Sequence, residues 1–342
     1  MGSPSGHGAN DGADSDDDAV DGEPTRAGVV ASSASHAVAV ALDEYTDEFA
    51  TALESALAGR SGLVATGVPL GLLPPILAAR RRTDDAAPWR IACREGVVDA
   101  LGRALALGTD VAEATADGSL ELRTITDERR SLLFATPDRA DAVAGPCSDP
   151  RLVSDTDDST AGAVFRATTS RFEAATPATV DMPPRTALLD AAREMLDDRF
   201  ATDLAAVLDG LEYGALGRTG TVTDRTLLVA LAARHDHLFW DLRRWVDGDG
   251  DTHAGRAAIA PGQDLTADRR ALVERELIES IKVPMGPGRP KLRLRAIDET
   301  LLRAKPDEVL SVLRERFARS LDADGAFKEN PDGQGRRPVW DR

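Results

Sequence analysis

Seven lysines and arginines fall between Ile281 and Lys305 against two acids, Asp298 and Glu299, in a chain of formal net charge −17. Three of the chain's four lysines, Lys282, Lys291 and Lys305, stand in that stretch. A local excess of cations in an acidic chain calls for a polyanion, and a phosphate backbone is the simplest one. The segments Ile281-Lys282-Val283-Pro284-Met285 and Lys291-Leu292-Arg293-Leu294-Arg295 flank Gly286-Pro287-Gly288-Arg289-Pro290. Alternation around a turn rich in Gly and Pro predicts a β-hairpin, with Ile281, Leu292 and Leu294 inward and Lys291, Arg293 and Arg295 outward.

Other chemistry is harder to place. Asp247-Gly-Asp249-Gly-Asp251 begins like a calcium loop, but Thr252 stands where that loop needs Gly and Ala258 where it needs Glu. His235 and His237 are two residues apart, a spacing that does not share a helix face, so a role at a helix end or in the core is the better reading. Cys93 and Cys147 are too few for a disulfide framework and fit a reducing compartment. No Gly-Lys phosphate loop, GxSxG, HExxH or dinucleotide-binding glycine pattern occurs. The expectation is a protein that is not an enzyme and that holds no metal or cofactor.

Three helices must position the basic hairpin. Thr223-Asp224 opens one with Leu227, Leu228 and Leu231, and Leu238, Phe239, Leu242 and Trp245 pattern a second. Pro261, at a first helical position, opens a third with Leu265, Leu272, Val273, Leu277 and Ile278. Three helices followed by a hairpin describe a winged helix-turn-helix over 222–300. In that arrangement the third helix enters the major groove of double-stranded DNA and the wing reaches the backbone or minor groove. Gln263, Thr266, Arg269 and Arg270 are the candidates on the helix. Lys282, Arg289, Lys291, Arg293 and Arg295 are those on the wing, with Arg289 at its tip.

The remainder divides by composition. Residues 1–34 form an acidic tail in which seven Asp and Glu oppose Arg26 alone, and 321–342 form a second loose tail. A helical pattern from Val38 to Leu57 stops at Gly59. Short apolar runs at Leu63–Ala65, Trp89–Ala92, Leu120–Ile125 and Leu132–Ala135, with a helical pattern around Val97 to Leu107, predict an α/β sensing or dimerisation domain over 35–150 with a mostly parallel sheet. A linker over 151–184, a long connecting helix over 185–221 and a C-terminal helix over 301–320 complete the plan. The long helix either joins the domains or pairs two subunits as a homodimer. No apolar run reaches the length of a membrane span and no secretion signal is visible, so a cytoplasmic protein is expected.

An acidic surface repels DNA over about 8 Å in physiological salt. The Asp load, with so few lysines, fits a protein from molar salt, where screening shortens to about 3 Å and the objection fades. Lys282-Val283-Pro284, Gly288-Arg289-Pro290 and Leu292-Arg293-Leu294, with Trp245 ahead and an α/β segment before, resemble the haloarchaeal TbsP-type transcriptional regulators over most of residues 40–300. The resemblance implies regulation of central carbon metabolism, especially glucose and gluconeogenic genes, in a network shared with the TrmB regulator. It also leaves room for other regulators as partners and for a small-molecule effector. The chain departs from the pattern in an insertion around 248–256 and in Gly262, Asp264, Asp268 and Ala271 of the third helix, so the DNA reading rests on the wing. The rival expectation is an interaction or metabolite-sensing module whose winged helix no longer binds DNA.

Overall fold

The computed structural model of the chain describes residues 41–84, 86–126, 132–211, 213, 222–247, 259, 265–286 and 290–318. The two predicted tails, the insertion around 248–256, Pro261, Gln263 and Arg289 lie outside them.

The helix expected from Val38 is interrupted: Ala41 and Leu42 are helical, a turn follows, and helix α1 (Asp47–Leu57) starts anew where the Thr46 hydroxyl accepts the Phe49 N–H at 3.3 Å. Its stripe of Phe49, Leu53 and Leu57 is buried, and Gly59, with φ +77°, turns the chain away. Strands β1 (Val64–Val68), β2 (Trp89–Arg94) and β3 (Leu120–Ile125) follow and lie side by side in parallel. Helix α2 (Leu73–Arg81) spans the first crossover, and α3 (Val97–Leu101) and α4 (Leu105–Ala116) span the second.

The rest of the sheet is not parallel, which corrects the expected topology. β4 (Leu133–Thr136), β5 (Arg139–Ala144) and β6 (Arg151–Asp155) form an antiparallel run beside β1, and β7 (Thr176–Pro177) closes the far edge against β3. The reason lies in connection length. Only Pro137 and Asp138 separate β4 from β5, enough for a hairpin and far too short for a parallel crossover. β6 is exposed along most of its length, so it carries no apolar pattern that would mark it as a strand.

The predicted linker over 151–184 therefore belongs to the sheet layer. Besides β6 it holds α5 (Asp158–Ala174), capped where Asp157 accepts the Thr160 N–H at 3.0 Å. This helix lays Phe165 and Phe172 on the second face of the sheet against Val64 and Ala92. Its stripe is mostly Ala and Thr, which hides it from a hydrophobic pattern. The helix expected around Val97 to Leu107 is broken into α3 and α4, which touch so closely that a β-carbon on Gly108 would lie 2.3 Å from the Leu101 carbonyl oxygen.

Two further predicted helices are also broken. In place of one long helix over 185–221, α6 (Arg185–Met195) and α7 (Asp198–Gly210) are separated at Asp197, whose carboxylate accepts the Phe200 N–H at 2.7 Å and starts a new helix. Their apolar faces, including Leu188, Ala192, Phe200 and Leu204, are buried within the chain. In place of a helix over 301–320 there are α11 (Glu299–Arg303) and α12 (Val309–Ala318), because Pro306 opens a short 3-10 turn between them.

Helices α8 (Asp224–Arg234), α9 (Phe239–Asp247) and α10 (Leu265–Glu274) then precede the antiparallel pair β8 (Ile278–Val283) and β9 (Lys291–Ala296). One continuous apolar cluster runs from Phe49 in α1 to Phe317 in α12. Polar contacts follow the same path. The Leu105 N–H at the start of α4 donates to Asp224 Oδ2 at 3.0 Å. Asp110 of α4 receives Arg81 Nη2 at 2.7 Å, Arg185 Nη1 at 3.4 Å and the Tyr213 hydroxyl at 2.5 Å. Burial, with Asp110 as the second cause, pushes the Tyr213 hydroxyl up to about 12, so it remains a donor.

Candidate nucleic-acid interface

The third helix is fixed from the first. Thr223 caps α8 in a reciprocal box with Thr226, and both hydroxyls also donate to Asp268 of α10, Thr223 at 3.0 Å and Thr226 at 2.5 Å. Arg225 Nε reaches the other Asp268 oxygen at 3.1 Å. An acid that looks misplaced on a DNA-reading helix thus faces inward, buried beside Leu265 and Leu272. Holding a carboxylate there takes several donors, and Thr-x-Arg-Thr supplies them.

The hairpin docks through a third, single-residue strand. Leu238, between α8 and α9, forms an antiparallel bridge with Arg293, and the Leu294 N–H donates to the His237 carbonyl at 2.9 Å. Asp236 makes the preceding turn with φ +61°, a conformation that Asp tolerates better than most residues. His235 Nε2 lies 3.0 Å from Asp203, His237 Nε2 lies 3.6 Å from Asp197, and both rings meet Phe200 edge-on. These histidines tie α7 to the end of α8. Burial, the largest cause, holds His237 below the usual histidine range.

Register sorts the hairpin's side chains. Directly opposed residues share a face, so Ile278 with Ala296 and Ser280 with Leu294 form the inner face, while Glu279 with Arg295, Ile281 with Arg293 and Val283 with Lys291 form the outer one. Ile281 therefore belongs to the basic face, against expectation, and Lys282, opposite Leu292, falls in the inner row but is exposed at the far end of the hairpin. The inward set is Ile278, Ser280, Leu292, Leu294 and Ala296, because a one-residue step between strands reverses every side chain.

The candidate cations divide into two groups. Arg269 is engaged inside the domain, with Nη1 3.0 Å from Ser280 Oγ and its guanidinium 5.4 Å from the centre of the Phe239 ring. Arg295 donates to Asp236 at 3.0 Å and lies 3.8 Å from Glu279. The Asp236 carboxylate holds its guanidinium above the usual arginine range. Arg270, Lys282, Lys291 and Arg293 have no carboxylate partner among the described residues. Thr266 is half-buried on α10, whose exposed face carries Ala267, Arg270, Val273 and Glu274.

One residue escaped the sequence reading. Trp240 is 49% exposed, and Lys291 Nζ stands 5.2 Å from the centre of its ring. Phe239, Leu242, Trp245 and Val246 of α9 are buried at helical spacing, and Trp240 falls off that stripe. A tryptophan out of phase with its own helix was the signal available. Trp245 lies in the core, with its ring centre 5.4 Å from that of Phe200.

Three helices, a one-residue strand and a basic hairpin define a winged helix-turn-helix domain, here joined to a mixed α/β layer. A family model described as the C-terminal HTH domain of TbsP-like transcriptional regulators matches residues 184–314, and one described as their N-terminal domain matches residues 39–183. The chain belongs to the TbsP-like transcriptional regulators. No curated protein and no solved structure matches it. The junction at 183–184 leaves β6, α5 and β7 with the N-terminal part, in keeping with their place in and on the sheet. Among the described residues no helix is long and apolar enough to cross a membrane.

Proposed function

We propose that this regulator, working in the cytoplasm, holds double-stranded DNA mainly through its β8–β9 hairpin, with Arg270 of α10 in support. The observation that carries this reading is that Lys282, Lys291, Arg293 and Arg270 lack a carboxylate partner among the described residues, in a chain of net charge −17. Cations left unneutralised beside so many acids suit phosphates. Four phosphate contacts give log affinity a slope of about −4 against log salt. Trp240 beside Lys291 adds an apolar surface for the sugar edge or a base.

The targets that fit the family are genes of central carbon metabolism, glucose and gluconeogenic ones in particular, in concert with TrmB. The α/β domain then supplies the input, a small-molecule effector or a second copy in a homodimer. Footprinting in multimolar KCl, the condition suited to the acidic composition, tests the DNA reading. The Arg289→Ala, Lys291→Ala double variant is expected to lose the footprint. An undiminished footprint in that variant overturns the assignment to the wing.

One observation favours a second reading. The exposed face of α10 holds a single cation beside Glu274, too little charge for base reading on its own. On this reading the domain docks on another regulator, and co-purification of a stable heterocomplex without retained DNA would distinguish it.

A further inference from the structure

A cleft of about 870 Å³ opens at the amino ends of β1 and β2, between the loop leading into β1 and the β4–β5 turn. Arg60, Arg90 and Arg139 line it, with Ser61 and Asp138 among their neighbours. The side chain of Arg60 is 9% exposed, and it is paired with Asp141, whose own carboxylate is fully buried. Asp141 also accepts from Arg139 at 3.1 Å and from Ser154, so one carboxylate serves two guanidinium groups. Burial pushes the Asp141 carboxyl up, but these donors outweigh it and hold the group below the usual carboxylate range.

Two consequences follow for the cleft. Arg60 Nη2 is buried with no acceptor among the described residues, and a buried donor left unpaired is costly. Arg90 has no carboxylate among them either, and only the face of Phe172 at 5.9 Å. Among the described residues three guanidinium groups thus meet two carboxylates, Asp138 and Asp141, leaving a positive balance at an open cleft in an acidic protein. The loop past Arg60 turns at Gly59 and Gly62, φ +77° and +60°, with open space where a β-carbon would stand, so a ligand can approach the backbone.

We propose that this cleft binds a small hydroxylated organic anion. Its phosphate or carboxylate head is held by Arg60, Arg90 and Arg139, and its hydroxyls reach Asp138 and Ser61. Asp138 remains ionised as an acceptor, because the Thr136 hydroxyl holds it below the usual carboxylate range. The inference rests on the effector part of the proposed function and is independent of DNA contact by the hairpin.

Calorimetric titration of the full chain with glycerol 3-phosphate, glycerate and glycerol tests it. One or both anions are expected to saturate one site per chain while glycerol does not, and the tighter of the two identifies the preferred head. Arg90→Gln, a variant outside the Asp141 pairing, is expected to weaken the anion about tenfold, the scale of one lost charge-assisted contact. Arg60→Lys, which keeps the charge but loses the fork, is expected to weaken it too. No saturable anion binding, equal binding by glycerol, or full affinity in folded Arg90→Gln overturns the proposal. Duplex binding by the same preparations, read by fluorescence anisotropy, reports on the hairpin alone. Loss of the anion site with DNA binding intact sinks only this inference.

Discussion

At the scale of single residues, the division of cations into free and engaged makes the strongest claim. Arg293 and Lys291 lie on the outer face with no carboxylate partner among the described residues, whereas Arg295 already has Asp236 and Glu279. Alanine at 293 or 291 is expected to flatten the salt dependence of duplex binding by about one phosphate contact, a slope change near 0.9. Arg295→Ala should change it by less, because its charge is already balanced. Anisotropy titrations at four salt concentrations read both, and an equal loss from all three positions would contradict the sorting. Asp268 carries the complementary prediction. Asp268→Ala removes a shared acceptor from Thr223, Thr226 and Arg225, and is expected to cost about 3 kcal/mol in urea denaturation, as for other buried charge pairs broken on one side. Asp268→Asn should cost less, since it still accepts from the hydroxyls.

At the scale of elements, the sequence was legible where apolar periodicity is strong and misleading where capping decides. β3 runs over Leu120–Ile125 where its short apolar run predicts a strand, and α8 begins at the Thr223 cap. The long helix failed at Asp197, a residue whose type fits a helix interior poorly but whose capping role only a fold reveals. α5 went unread because its inward stripe is mostly Ala and Thr, and β6 because an edge strand needs no apolar face. The candidate site shows the same split. The hairpin could be read from alternation, but its register could not, since nothing local says whether Ile278 or Ile281 faces in. The α3–α4 contact yields a further prediction at this scale. Gly108→Ala places a methyl group against the Leu101 carbonyl and is expected to destabilise the fold by about 1–3 kcal/mol or more, seen as a lower midpoint in thermal unfolding followed by circular dichroism. An unchanged midpoint would mean that the two helices part easily.

At the scale of the whole molecule, the contact between Leu105 and Asp224 links the α/β layer to the first helix of the DNA-binding domain. Burial pushes the Asp224 carboxyl up to about 6, while the Leu105 N–H and Arg225 pull it down. An unfolded Asp is ionised above about pH 4. Between those values the folded chain holds a proton that the unfolded chain has released, so this group's contribution to stability is full below pH 4 and fades as pH rises to 6. Asp224→Asn is expected to gain on the parent protein between pH 4.5 and pH 7, measured as the difference in urea midpoint at constant salt. A constant difference across that range would show that the carboxyl does not titrate there. The apolar cluster that runs unbroken from α1 to α12 has another consequence. Although two family modules meet at residues 183–184, cutting there would part α4 from α6, which pack on each other, and would break the Asp110–Arg185 and Leu105–Asp224 contacts. A boundary between family modules need not be a boundary between folding units, and the chain should melt in one cooperative step.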